Sequence, residues 1–175
     1  KHIMEKVKNT KIIVTIFALL VLLDMAVCVF LYFHEMRVTE IDTAVFQKLG
    51  ADEIGYAIDE NSITTSTDEN CAVTVRGWVI IRGKATTNVA IHCLISDIQT
   101  GITYKLPTAI QSRPDVTAAM NDGTNYDNSG IFVSMNRWVP FEPDEQRYQI
   151  SFLYQLDDVE YLIPTHVFLG GSNDK

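Results

Sequence analysis

Residues 12–33 read IIVTIFALLVLLDMAVCVFLYF, 22 positions interrupted by a single charge, and no other stretch limits the folding of this chain so strongly. As an α-helix the run is about 33 Å long, enough to cross the hydrocarbon core of a bilayer. Lys1, Lys6, Lys8 and Lys11 precede it, whereas the chain from Glu35 onward carries 10 Lys and Arg against 20 Asp and Glu. The positive-inside tendency then puts residues 1–11 in the cytoplasm and the body of the protein outside it, with Tyr32 and Phe33 at the outer interface. A cleaved signal peptide is the competing reading, because the apolar run before Asp24 has the length of a signal core. No small-residue cleavage site follows it, and MAVC at residues 25–28 has Val27 directly before the cysteine. The expectation is an uncleaved, single-pass anchor in the cell membrane with an extracellular C-terminal domain.

Asp24 lies near the middle of that span, where a lone carboxylate costs roughly 2.5–3.5 kcal/mol on insertion scales. Two readings follow: a contact with a basic or polar group of another membrane protein, or an acid tolerated by a strongly apolar helix. The five residues before it are all apolar, which keeps the second reading open.

The remaining length suits one well-buried domain with an appendage, out of 175 residues in all. A net charge of −8 disfavours nucleic acid and anionic lipid head groups as partners of that domain. Residues 34–58 place Ile41, Ala44, Val45 and Leu49 at helical spacing ahead of Gly50, so the spacing predicts a juxtamembrane stalk with a short helix. DENSITTSTDEN, residues 59–70, reads as a polar surface loop or linker around one short strand.

From residue 71 the hydrophobic period becomes two. Residues 72–81, 87–98, 101–106, 130–135, 147–156 and 159–169 are strand-like. Tyr148, Ile150, Phe152, Tyr154 and Leu156 share one face of the fifth, with Gln149, Ser151 and Gln155 on the other. Asp157-Asp158 fits a tight hairpin, and Pro164 puts the last strand at an edge or a bulge. Strands joined by short turns, with almost no amphipathic helix, imply a mainly β protein: an antiparallel β-sandwich of jelly-roll or immunoglobulin-like type over residues 59–170, with a tail at 171–175. Cys71 and Cys93 both share parity with core-facing residues, which leaves a disulfide and two buried thiols equally open.

Catalytic signatures are missing from the sequence: no G-x-S-x-G elbow, no H-E-x-x-H, no phosphate loop and no cysteine cluster at zinc spacing. His92 and His166 sit in predicted strands, where a histidine is more often structural than catalytic. The segment QSRPDVTAAMNDGTNYDNSGIF, residues 111–132, draws more attention. Asp115, Asp122, Asn125, Asp127 and Asn128 are hard oxygen donors of the type Ca2+ takes, but their spacing is not that of an EF-hand. The same residues with Gly123 and Gly130 are ordinary turn chemistry, so no cofactor is expected. Arg113 and Asp115 fit as structural partners, with Asp115 capping a short helix at VTAAM. A binding version would use Arg113, Asp115, Asp122, Asn125 and Asp127 toward sugar hydroxyls, with Tyr126, Trp78, Tyr104 or Trp138 as a stacking platform.

GWVIIRG at 77–83, YKLPT at 104–108, RPDV at 113–116, NSGIF at 128–132 and RYQISFLY at 147–154 occur in an order that resembles a β-sandwich module of bacterial surface-polysaccharide systems. Such modules accompany glycosyltransferases and other envelope-glycan proteins. The resemblance covers about residues 59–169; Arg113, Asp115 and Gly130 match its turn positions, and Ile131 stands where the pattern has phenylalanine. It implies an accessory role, with a membrane glycosyltransferase or a glycan as partner, and no mechanism.

The reading that follows is a membrane-anchored binding or accessory module and not an enzyme. A glycan-active hydrolase or transferase would need two close carboxylates in an aromatic cleft. A structural or sensory ectodomain would show a polar surface with one apolar patch.

Overall fold

The computed structural model describes residues 2–35, 37–65, 71–137 and 146–171. The chain divides into two units, Lys1–Arg37 and Val38–Lys175. The first is one continuous helix, α1 (His2–Glu35), and its Val14–Phe33 segment is long and apolar enough to cross a membrane, with side chains uncovered along its length.

The second unit is a β-sandwich. Its strands are β1 (Thr39–Ile41), β2 (Gln47–Lys48), β3 (Ile54–Thr65), β4 (Cys71–Ile81), β5 (Val89–Asp97), β6 (Thr103–Lys105), β7 (Ala109–Gln111), β8 (Gly130–Arg137), β9 (Tyr148–Leu156) and β10 (Val159–Phe168), with a short helix α2 (Pro114–Met120) between β7 and β8. One sheet runs β1-β6-β5-β9-β10-β2 and the other β3-β4-β8-β7. Every described pairing is antiparallel except β2 with β10. Taken in chain order from β3, the strands occupy the places A, B, E, D and C′, C, F, G of an immunoglobulin-like sandwich, which decides between the two sandwich types expected.

Alternation makes the core. In β4 the residues Cys71, Val73, Val75 and Val79 are buried, and they meet Ile91, Cys93 and Ile95 of β5 and Tyr148, Ile150 and Phe152 of β9 in one cluster between the sheets. Each such side chain contributes about 1.5–3 kcal/mol on leaving water. The reverse face of β9 is drier than its sequence implies, since Ser151 and Leu153 are also buried there. Both cysteines are free thiols inside this cluster.

The helical stalk does not form. Instead β1 pairs with β6 and β2 with β10, closing the two edges of the larger sheet. Asp42 caps the start of one 3-10 turn at Thr43–Val45 by accepting the Ala44 N–H at 2.9 Å, and the extended backbone of Phe46 ends it. Unpaired edges of β6 and β10 exert a pull that no local periodicity records. The polar stretch beyond is also no linker: β3 extends to Thr65 as a long hairpin partner of β4, and residues 66–70 lie outside the described set.

Candidate functional site

The segment 111–132 forms a folded cap over one end of the β3-β4-β8-β7 sheet. Trp78 and Ile80 point outward from β4 there, and Val116 and Met120 of α2 pack on them together with Tyr126. Pro114 opens the helix and Asn121, in the left-handed region at φ 46°, closes it by donating its N–H to the Thr117 carbonyl.

Arg113 joins this cap to the sheet. Its backbone N–H donates to the Asp127 carbonyl at 2.6 Å, its Nη1 to Asp59 Oδ2 at 2.7 Å, and its Nε and Nη2 to the Asp115 carboxylate at 2.9 and 2.8 Å. Asp59 is the extra residue of a β-bulge in β3, between the pairs Ile58–Gly77 and Glu60–Arg76. Asp115 beside it and Asp59 hold the guanidinium pKa above its usual value, and Arg113 in turn holds the Asp115 carboxyl below the usual carboxylate range. The expected cap role of Asp115 is therefore secondary: Pro114 starts the helix, Asp115 sits within its first turn, and the charged guanidinium is the stronger partner. Gly130 lies under the Arg113 stem, where a Cβ would come within 2.7 Å of Arg113 Cγ and 2.6 Å of the Gln111 carbonyl.

Tyr126 is fully buried, and so it presents no stacking platform. Its hydroxyl donates to Asp122 Oδ2 at 2.6 Å and accepts the Gly83 N–H at 2.7 Å, tying the cap to the turn after β4. That phenol lowers the Asp122 pKa, and the Thr124 N–H adds to the effect. Asn125 Oδ1 accepts the Asp127 N–H at 2.9 Å, and Asp127 Oδ1 accepts the Thr117 hydroxyl at 2.6 Å. The proposed ligand oxygens thus serve the loop itself. Among the described residues no three His, Cys, Asp or Glu side chains converge as metal ligands.

Two other members of this network carry no sequence signal. Asp59 lies in a stretch that reads as a polar linker, and Thr86, which donates its N–H to the Asn125 carbonyl while its hydroxyl accepts the Asn128 N–H, belongs to no motif. Trp78 is partly buried under the cap and Tyr104 packs at the margin of the main core; Trp138 lies outside the described residues.

Beyond the cap the same sheet face stays open. Arg76 lies over the Phe132 ring at 5.1 Å, a cation-π contact, and the next rows pair Thr74 with Ser134 and Ala72 with Asn136. Arg76, Ser134 and Asn136 are exposed. This flat row of hydroxyl, amide and guanidinium groups beside one ring is suited to contact with polar, extended ligands. At the other sheet a cavity of about 460 Å³ is lined by Asn88, Val89, Ala90, Gln155, Asp157 and Asp158, which brings two carboxylates together without any ring. Asp24 is exposed at the middle of the apolar helix. Comparison with protein-family models, curated proteins and solved structures finds no match, so the strand order and the geometry of the cap are what characterise this chain.

Proposed function

We propose that the protein is a single-pass membrane protein whose extracytoplasmic sandwich serves as a binding or accessory module in bacterial envelope-glycan assembly, acting by contact and not by catalysis. The observation that carries this reading is the short join between anchor and domain. Only residues 34–38 of the chain join Phe33, the end of the apolar segment, to Thr39 in β1, so the domain is covalently tethered to whatever membrane holds the span. The lysines before the span favour a cytoplasmic N-terminus. The glycan part of the reading draws on the GW, RPDV and SG motifs and on the open face around Arg76 and Phe132, whose chemistry suits sugar hydroxyls and ring faces.

The test is saturation-transfer NMR on the full chain in lipid nanodiscs, with envelope polysaccharide fragments as probes, comparing wild type with an Arg76→Ala, Phe132→Ala double variant. A saturation-transfer signal with the wild type and one at least tenfold weaker with the variant is the expected result. Equal signals from the two proteins would remove that face from the proposal, and no signal from either would remove the glycan.

A further inference from the structure

We propose that Asp24 is the docking residue for a second membrane protein, one that carries a lysine or arginine at the same depth in a transmembrane helix. This rests on the reading of α1 as a membrane span. Asp24 stands ten residues from Val14 and nine from Phe33, which places its carboxyl about 14–15 Å from either end of the span. A one-carbon side chain cannot reach the interface from there.

The helix offers the carboxyl almost nothing. Leu20 and Val27 lie one turn away, as do Val21 and Cys28, so the thiol of Cys28 is the sole neighbouring donor, and a weak one. All of these side chains are exposed along the segment, and the hydrocarbon that would surround them supplies no hydrogen bonds. Charge decides which occupant fits. A second copy of this chain would set Asp24 against Asp24, one acid facing another with no basic group at that depth. A lysine or arginine supplies both the opposite charge and several donors. Cys28, on the same face, is small enough to let a partner backbone approach closely.

The experiment has two arms. The full chain in phosphatidylcholine nanodiscs is titrated, by energy transfer, with a synthetic leucine-rich transmembrane helix bearing one central lysine and with the same helix bearing leucine instead. At least tenfold tighter association with the lysine helix is expected, kept in Asp24→Glu and lost in Asp24→Leu. Equal association with both helices overturns the proposal, and so does wild-type self-association that Asp24→Leu abolishes and the lysine helix fails to displace. In the second arm, gently solubilised native membranes should yield the full chain with a protein whose span contains a basic residue, and neutralising that residue should release it as Asp24→Leu does. A partner lacking such a residue, or the chain alone, overturns the proposal while leaving glycan binding intact. Recovery of the chain outside the membrane fraction would instead overturn the anchored reading on which both rest.

Discussion

Gly77 faces the bulge in β3, and there is no room for a side chain on it: a Cβ would stand 2.2 Å from the Ala57 carbonyl oxygen. Gly77→Ala is expected to destabilise the domain by about 3 kcal/mol, read from urea denaturation, since relief would require moving backbone. Two buried tyrosines make a sharper contrast. The Tyr126 hydroxyl has two partners, so Tyr126→Phe should cost about 1–2 kcal/mol by the same assay. The Tyr154 hydroxyl is buried without a partner, and burial pushes its pKa upward, so Tyr154→Phe should be neutral or stabilising. A loss of stability in Tyr154→Phe comparable to that of Tyr126→Phe would contradict the assignment. Parity along β9 marked Tyr154 as inward-facing from the sequence. Tyr126 reads as a loop aromatic because its neighbours are Asn125 and Asp127, and nothing local reveals that Trp78 and Ile80 lie beneath it.

The cap of α2 and residues 121–129 is held to its sheet by the packing of Val116, Met120 and Tyr126 on Trp78 and Ile80, by hydrogen bonds to Gly83 and Thr86, and by Arg113. Its guanidinium side chain is 22 % exposed and its two carboxylate partners 43 % and 62 %, so solvent weakens the ion pairs, and the packing of the stem over Gly130 matters as much as charge. Arg113→Ala should therefore cost only about 1–2 kcal/mol overall. Its signature is local: amide exchange in 114–129 should quicken while β4, β5 and β9 keep their protection, and uniform loss of protection would refute the view of the cap as a separable element. RPDV marked this turn and its short helix from the sequence, because proline and aspartate act within one turn. The strands β1, β2 and β7 are hidden in the sequence, and of β3 only one short strand within residues 59–70 is legible. β1 and β2 are too short to alternate visibly and their partners lie far along the chain, as Thr39 with Lys105 and Tyr161 with Gln47, whereas β3 pairs with the next strand and is hidden by its polar composition.

Across the whole molecule, stability should depend on pH through Asp97. Its side chain is 5 % exposed and is bound by Arg147 through Nε at 3.2 Å and Nη2 at 2.8 Å, with the Gln99 N–H at 2.9 Å. Arg147 holds this carboxyl well below the usual range. A carboxyl depressed in the folded state gives stability that is complete above its unfolded pKa, about 3.9, and is lost as the pH falls toward the folded value. Denaturation midpoints should accordingly fall below about pH 4, and Asp97→Asn should remove most of that dependence while costing about 3 kcal/mol at neutral pH. The thiols report the core. Burial pushes Cys93 up to about 12 and raises Cys71, so maleimide should label neither until the domain unfolds, and prompt labelling of Cys93 would show the sandwich to be open. What the sequence determined by itself was the apolar span and six of the strands, because length and period are properties of neighbouring residues. Sheet order, the two edge strands taken from the supposed stalk and the inward turn of the loop's polar groups were decided only by tertiary structure. The pair Arg113 and Asp59 gives the reason: 54 positions separate them, and their contact exists only once the bulge in β3 and the start of α2 have been brought together.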